Sequence, residues 1–445
     1  MTKSRRFLFG FAAAAAAIFL GGASSALHAQ TKSDCPAALP AATTCYTGAS
    51  PEGGFYLVAI PENWNRVLVM HAHGGPETAA PTLKRSIEDV TRWSVVVKAG
   101  YAWVGSTFRR GGYGVTMAAE DTENLRKFFI KTFGQPKRTI MHGQSWGGNV
   151  GAKVIELYGV NPDGSKNYDG ALLTSGVLAG GSRGYDYRMD LRAVYQYYCN
   201  NHPRPSEPQY PLWMGLPADG KMTRDDLQAR VNECTGLQLP AEQRTEVQKR
   251  NLSNILAVTR IPQRTLAAHL SWATFLFSDI AHKRLQSRNP FSNDGVQYAG
   301  SDDDEALNKG VVRYQADRGA VAELARDSDP TGKVALPVLT IHGIDDPTAF
   351  VEMESAYRRT LDDAGTSANL VQVFTKEKEH SFLGAPQYPA LLEALLGWID
   401  NGVKPTPQSV ATLCEKFISS HDGGCHIDIA YQPKPYESRV YPRNR

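Results

Sequence analysis

The chain has 445 residues, of which 42% are hydrophobic and 21% charged, and this composition excludes disordered, collagen-like and coiled-coil proteins. The formal net charge of +3 comes from the first 29 residues, which contain Lys3, Arg5 and Arg6 but no acidic residue. The rest of the chain is balanced and has no Lys/Arg-rich run, so nucleic acid is not an expected partner.

The first 29 residues have the features of an export signal. Their basic start is followed by an apolar run over 7–20 and by small residues up to Ala29. We expect cleavage after Ala29, with Ala26 as the alternative site and an uncleaved anchor as the alternative role. Arg5 and Arg6 are adjacent, so export by either the general or the twin-arginine route is open. These features predict a periplasmic or extracellular protein, and no later apolar run is long enough to span a bilayer.

Short β-branched segments alternate with amphipathic helices between residues 30 and 175. The predicted strands are 55–60, 66–71, 102–106, 138–142 and 169–174, and the predicted helices are 117–133 and a segment that ends at Gly159. This alternation is typical of a mostly parallel sheet that is covered by helices on both faces.

A G-x-S-x-G motif, 143–147, lies between a predicted strand and a predicted helix. A tight turn of this kind cramps the backbone of Ser145, and the flanking Gly143 and Gly147 remove β carbons that would collide. The motif predicts that Ser145 is a nucleophile held out at the sheet edge. The following helix starts at Trp146, and its free amide hydrogens could stabilise an oxyanion.

The alternation is lost between residues 176 and 336. This segment contains a proline-rich loop and a predicted helix over 264–282 that is apolar on more than one side. Its aromatic residues could line a pocket or form plain core: Tyr195, Tyr197, Tyr198, Trp213, Trp272, Phe275, Phe277. The acidic run 302–305 predicts a solvated helix start, with a calcium site as the alternative.

Two further predicted strands, 337–341 and 369–374, are each followed by residues that a serine nucleophile requires. A serine needs a base, and the base needs an orienting acid. His380 follows the second strand and is the predicted general base. Asp346 follows the first strand and is the predicted acid, with Asp345 as its rival, while His342 is expected to have a structural role.

The second oxyanion donor is expected in the loop after the early strand 66–71. This loop contains Gly74, Gly75 and Pro76, and glycine allows the backbone to approach a substrate oxygen. We predict that the amides of Gly75 and Trp146 form the oxyanion hole, with Gly74 as the alternative to Gly75.

Six cysteines fall into three couples that are close in sequence, as expected of a protein in an oxidising compartment. We predict the disulfides Cys35–Cys45, Cys199–Cys234 and Cys414–Cys425. None of these spacings is that of a zinc or redox motif, so no metal and no cofactor is predicted. The polar end of the chain, 403–445, is expected to be a tail that its disulfide tethers.

The H-G-G, G-x-S-x-G, G-x-x-D and late-histidine motifs, in this order, resemble the α/β-hydrolase superfamily. The resemblance covers 55–174 and 337–400, and it implies an eight-stranded, mostly parallel sheet with a mainly helical cap inserted after the sixth strand. The implied organisation is a signal peptide at 1–29, a core at 30–175 and 337–402, a cap at 176–336 and a tail at 403–445. On this resemblance Ser145, Asp346 and His380 form the catalytic triad, and Gly75 with Trp146 forms the oxyanion hole.

The expected function is that of a secreted serine hydrolase that cleaves carboxylic esters through an acyl-enzyme. The 73–76 loop and the Ser-Trp-Gly segment also look like those of prolyl aminopeptidases, so release of N-terminal residues from short peptides is the alternative. This chain departs from their Asp-x-Arg-Gly segment, having 106–113 in its place. A catalytically inactive binding protein on the same fold is the third possibility. The oligomeric state is left open.

Overall fold

The computed structural model describes Met1 and residues 30–381 and 383–443. The predicted signal peptide, 1–29, therefore lies outside the described residues apart from Met1. Within the described ranges, no helix combines the length and the apolar character that crossing a bilayer requires.

Nine strands form one sheet, in the order β1-β2-β3-β5-β4-β6-β7-β8-β9. Strands β4 to β9 run parallel to one another, whereas β1, β2 and β3 form an antiparallel edge in which β3 pairs antiparallel with β5. The strands are β1 Thr31–Ser33, β2 Thr43–Ala49, β3 Phe55–Pro61, β4 Val67–Ala72, β5 Ala102–Ser106, β6 Arg138–Gln144, β7 Gly170–Thr174, β8 Val338–Gly343 and β9 Leu370–Thr375.

Helices cover both faces of this sheet, because its central strands are mostly apolar and almost all of their residues are buried. The helices of the sheet layers are α1 Leu83–Arg92, α2 Ser94–Lys98, α3 Val115–Phe133 and α4 Trp146–Tyr158. Between β7 and β8 lie α5 Asp186–Cys199, α6 Arg224–Thr235, α7 Glu246–Thr259, α8 Leu266–Ser271, α9 Asp304–Gly310 and α10 Arg318–Ser328. The chain closes with α11 Met353–Asp363, α12 Gln387–Asn401 and α13 Pro407–Glu415.

This is the α/β-hydrolase fold that the motifs predicted, but the prediction of eight strands is wrong. The structure has nine, because the short β1 pairs with β2 at the antiparallel edge. Strand β1 has only three residues, all polar and none of them buried, so no hydrophobic pattern marks it.

The predicted helix over 264–282 is interrupted. Helix α8 is followed by two π-helical segments, Trp272–Leu276 and Asp279–Arg284. The Thr274 hydroxyl donates to the Leu270 carbonyl, and side chains that bond back into a helix are one cause of such irregular turns. The acidic run is a helix start, as predicted, since Asp303 accepts from the Ala306 amide at 2.9 Å and caps α9.

The three predicted disulfides are present, as Cys35–Cys45, Cys199–Cys234 and Cys414–Cys425. The end of the chain is more than a tethered tail. It contains α13 and then returns to the helical segment, where the buried guanidinium of Arg443 lies 2.5 Å from Asp190 on α5.

Candidate active site

Ser145 lies at the turn between β6 and α4, at the carboxyl edge of the parallel strands. Its backbone has φ 58° and ψ −124°, a conformation that a residue with a side chain rarely adopts. Such strain persists only where the surroundings hold it in place. The turn presents the Ser145 hydroxyl at the start of α4, where the first amides have no partner inside the helix.

The two glycines of the motif are required by close backbone approach. A β carbon at Gly143 would lie 2.1 Å from the Gly147 carbonyl oxygen, and one at Gly147 would lie 2.0 Å from the Ala72 carbonyl oxygen. Both distances are far inside van der Waals contact. The sequence pattern G-x-S-x-G therefore follows from how tightly the turn packs against β4.

The structure brings Ser145, His380 and Asp346 together, although His380 is 235 residues away from Ser145 in sequence. The His380 Nε2 atom lies 2.8 Å from the Ser145 hydroxyl oxygen, and its Nδ1 atom lies 2.7 Å from Asp346 Oδ2. A carboxylate accepts hydrogen bonds, so Nδ1 is the protonated nitrogen and Nε2 is free to accept from the hydroxyl. The rival acid, Asp345, is exposed to solvent.

Asp346 is buried and receives several hydrogen bonds. Its Oδ1 accepts from the amides of Thr348 and Ala349, at 2.8 and 3.0 Å. Burial acts to raise the pKa of Asp346, but the attraction of His380 and the hydrogen bonds from His342 and His380 outweigh it and hold the pKa well below its usual range. The carboxylate therefore stays ionised and fixed in position beneath His380.

Behind Asp346, the buried His342 connects the site to a second carboxylate. Its Nε2 donates to the Ala349 carbonyl at 2.7 Å, and its Nδ1 lies 3.1 Å from Glu354 Oε1. Burial disfavours the charged imidazole, but hydrogen bonds with Asp346 and Glu354 outweigh it and raise the pKa of His342 to about 10. His342 has the structural role predicted for it, as a buried cation between two carboxylates.

The glycine loop predicted to supply an oxyanion donor lies beside the nucleophile. A β carbon at Gly74 would lie 3.3 Å from that of Ser145, so this residue borders the hydroxyl directly. Gly75 follows with φ 144°, a backbone that favours glycine. The buried His73 stacks on Phe108 with 4.5 Å between ring centroids, and with Trp146 they line a narrow cleft next to the turn.

The helical segment between β7 and β8 reaches the same sheet edge. His269, on α8, donates from Nε2 to the Pro347 carbonyl at 2.8 Å, and the Tyr187 hydroxyl on α5 donates to the Thr348 carbonyl at 3.2 Å. Both contacts are made to the loop that carries Asp346. The helices of this segment thus pack on the acid side of the site.

The sequence reasoning missed Glu354 and Arg188. Glu354 lies between the buried Met353 and Tyr357 of α11, next to the apolar stripe of this helix. An acid at such a position is buried only if a polar group pairs with it, so its place in the pattern could have indicated a buried polar partner. Arg188 precedes Arg192 by one helical turn in α5, and both are buried. Paired basic residues on a buried helix face are a comparable signal.

No protein-family model matches the chain. A curated relative, the o-phthalyl amidase of Xanthobacter agilis, is 29% identical over 121 residues, which are 26% of this chain and 25% of the amidase. This chain therefore matches about a quarter of that relative's length.

Two solved structures are similar to the chain at low sequence identity. Feruloyl esterase B from Aspergillus oryzae is 14% identical with a TM-score of 0.40, and the match covers 82% of this chain and 81% of that one. The rice cell wall degrading esterase LipA from Xanthomonas oryzae is 14% identical with a TM-score of 0.35, covering 76% and 83%.

Proposed function

We propose that the protein is a serine hydrolase that cleaves carboxylic esters through an acyl-enzyme. One observation carries this proposal: the Ser145 hydroxyl, the His380 imidazole and the Asp346 carboxylate form a chain of hydrogen bonds at 2.8 and 2.7 Å, with the serine on a strained turn. A serine hydroxyl needs such a base and such an acid to become nucleophilic at neutral pH.

In the first half of the reaction, Ser145 Oγ forms a bond to the ester carbonyl carbon while its proton passes to His380 Nε2. The imidazolium that results is stabilised by Asp346, which keeps Nδ1 protonated throughout. The tetrahedral intermediate then collapses, the ester C–O bond breaks, and the same proton leaves with the alcohol. In the second half, water attacks the acyl-serine, gives its proton to His380, and the acid is released as Ser145 recovers the proton.

The oxyanion of each tetrahedral intermediate is proposed to bind the amides of Trp146 and Gly75, with Gly74 as the alternative to Gly75. Support comes from the start of α4 at Trp146 and from the contact distance between Gly74 and Ser145. A pair of backbone donors aimed at developing charge is worth several kcal/mol in transition-state stabilisation, about 3 kcal/mol per donor.

The helical segment 176–336 is proposed to act as a cap over this site, since α5 and α8 bond to the Asp346 loop. We also propose that 1–29 directs export to the periplasm or beyond. The three disulfides support an oxidising compartment for the mature chain.

Amide hydrolysis is the second candidate, because the curated relative with 29% identity over 121 residues is named as an amidase. The same triad would serve, with His380 protonating a departing amine in place of an alcohol. The aminopeptidase alternative is a special case of amide hydrolysis. Cleavage of aminoacyl or prolyl anilides would distinguish an aminopeptidase from an esterase and from an amidase of other substrates.

The deciding experiment is covalent labelling by an organophosphonate, followed by mass spectrometry of the adduct and rates on p-nitrophenyl esters and on anilides. We expect the label on Ser145, and Ser145→Ala to lower kcat by about 10⁵-fold with folding intact. Ser175→Ala is the matched control, because Ser175 is also buried beyond a strand end and its hydroxyl has no hydrogen-bond partner among the described residues. A folded protein that takes no label and turns over no substrate would instead be a binding protein.

A further inference from the structure

Helix α5 places two arginines on one buried face. Arg188 and Arg192 are one turn apart, and their exposed fractions are 5% and 0%. Within 30–381 and 383–443, no carboxylate oxygen lies within 4.0 Å of either guanidinium. A buried charge without a counter-ion is costly, so its presence calls for a physical reason.

The groups around Arg188 are neutral. Its guanidinium lies over the rings of Tyr185, Tyr187 and Trp272, at 4.8, 5.2 and 4.5 Å from their centroids. Its Nε donates to His269 Nδ1 at 3.4 Å. Because the other nitrogen of His269 donates to a carbonyl, this imidazole is neutral and leaves the charge of Arg188 uncompensated.

Arg188 is linked through its neighbours to both sides of the triad. On one side, Tyr185 packs on Tyr113 at 5.9 Å, and Tyr113 packs on Trp146 at 6.1 Å, next to Ser145. On the other side, His269 bonds to the Pro347 carbonyl, adjacent to Asp346. Rings and one imidazole thus connect the guanidinium both to the turn that carries Ser145 and to the loop that carries Asp346.

Arg109 and Arg110 differ from Arg188 in bonding to carboxylate or carbonyl oxygens. Arg109 bonds to the carboxylate of Asp121 through its side chain and its amide. Arg110 donates to the carbonyls of Gly111 and Tyr113. A guanidinium that keeps its edge free offers two parallel N–H donors, the geometry that matches a carboxylate.

We propose that Arg188 binds a carboxylate of the substrate, so that the proposed hydrolase prefers esters that carry a free carboxylate in addition to the scissile bond. This inference rests on the proposed function for its turnover assay, but carboxylate binding can be measured without turnover. The flanking rings fix the guanidinium plane, so binding requires little reorganisation. The carboxylate lies in the acyl part or in the leaving group, and two pairs of substrates distinguish these cases.

The first pair is mono-p-nitrophenyl glutarate and its neutral isostere p-nitrophenyl glutaramate. The second pair is 4-carboxyphenyl pentanoate and 4-carbamoylphenyl pentanoate. In one of the two pairs, we expect kcat/KM to be about 100-fold higher for the ester with the carboxylate than for its neutral partner. This ratio corresponds to the free energy of a charge-assisted bidentate contact. Arg188→Met should remove that preference, so that the two members of the pair are hydrolysed with similar kcat/KM.

Two variants guard against a merely structural effect. Arg192→Met removes a buried guanidinium one turn away on the same helix face and should keep the preference. Arg188→Lys retains the charge without the planar fork, and should keep an intermediate preference of about tenfold. The inference is overturned if wild type favours the neutral member of both pairs, or if Arg188→Met lowers both members of a pair equally while remaining folded.

A binding measurement separates this inference from the proposed function. Glutarate should raise the Tm of wild type and of Ser145→Ala, but not that of Arg188→Met, whereas the neutral diamide of glutaric acid should raise none. If glutarate stabilises Ser145→Ala and no ester or amide is turned over, the carboxylate site stands and the hydrolase proposal fails. If esters are cleaved and glutarate binds equally with and without Arg188, the carboxylate site fails alone.

Discussion

The two faces of helix α5 carry opposite charges, and only one of them has an oppositely charged partner among the described residues. Asp186 and Asp190 are one turn apart on one face, and the buried Arg443 from the end of the chain lies 3.6 and 2.5 Å from them. Arg188 and Arg192, one turn apart on the other face, have no carboxylate within 4.0 Å in the described chain. The aspartates on one face share a buried cation, whereas the arginines on the other face have only neutral side chains as partners.

The buried histidines on either side of the Asp346 loop show the same contrast. His342 lies between Asp346 and Glu354, whose hydrogen bonds outweigh burial and raise its pKa to about 10. His269 lies against Arg188, and burial followed by repulsion from this arginine lowers its pKa to about 3. His342 is thus a cation paired with carboxylates, whereas His269 is neutral and lies beside the arginine Arg188, which has no carboxylate partner among the described residues.

The largest expected effect is the loss of Arg443. Arg443→Met removes the cation that lies 2.5 Å from the buried Asp190, so we expect the free energy of unfolding to fall by about 3–5 kcal/mol, measured by urea denaturation. Arg192→Met is the control on the opposite face. It removes a charge that has no carboxylate partner and whose Nε and Nη1 have no hydrogen bond within the described residues, so stability should change by less than about 1 kcal/mol or rise. Equal losses in both variants would show that pairing does not distinguish the two faces.

A smaller loss is expected when the pair beneath the triad is broken. Glu354→Gln removes a carboxylate that His342 requires as a cation, and we expect a loss of about 2–3 kcal/mol near pH 7. Asp362→Asn, an exposed acid on the same helix α11, should have little effect. A Glu354→Gln variant as stable as Asp362→Asn would contradict the charged state of His342.

The pairing of His342 with Glu354 also predicts that the free energy of unfolding declines at alkaline pH. His342 binds its proton more tightly in the folded protein than in the unfolded chain, since its pKa is raised from 6.5 to about 10. Its contribution is therefore complete below about pH 6.5 and is lost as the pH rises towards about 10. Urea denaturation across this range should show a decline in wild type that is flatter in Glu354→Gln.

The residues that meet at the proposed site were predictable because each follows a strand in a parallel sheet. Ser145, Asp346 and His380 come after β6, β8 and β9, and the carboxyl ends of these strands share one edge. Hydrophobic periodicity places the strands, and the order of the strands places the side chains.

The remaining features depend on contacts that no local pattern encodes. Arg443 and Asp190 are 253 residues apart, and the first of them lies in a segment that reads as a polar tail. The pairing of β1 with β2 is equally hidden, because three exposed or half-buried residues give no period. Whether a buried arginine has a carboxylate partner is decided by tertiary packing, so the sequence can mark Arg188 as a buried arginine but cannot show that no carboxylate lies beside it.

On the acid side, His269 should contribute to the slope of stability with pH, together with other buried histidines whose pKa burial lowers, among them His73 and His142. The unfolded chain protonates His269 below about pH 6.5 and the folded protein does so only near its pKa of about 3, so stability falls as the pH is lowered through this range. His269→Gln should flatten the decline by up to about 1.4 kcal/mol per pH unit in urea denaturation. His426→Gln, at an exposed histidine, is the control, and an equal flattening there would refute the assignment to His269.

The smallest effect is expected for an arginine of the same helical segment that is exposed and paired. Arg264 bonds to Glu379, beside His380, but the two side chains are 46% and 65% exposed, so solvent screens their attraction. Arg264→Gln should therefore change the free energy of unfolding by less than about 0.5 kcal/mol. Added salt should not raise the effect of this substitution above that value. A loss of about 2 kcal/mol or more would mean that an exposed pair can match a buried one here. Burial would then no longer explain why Arg443 needs its carboxylates, and the contrast between the two faces of α5 would lose its physical basis.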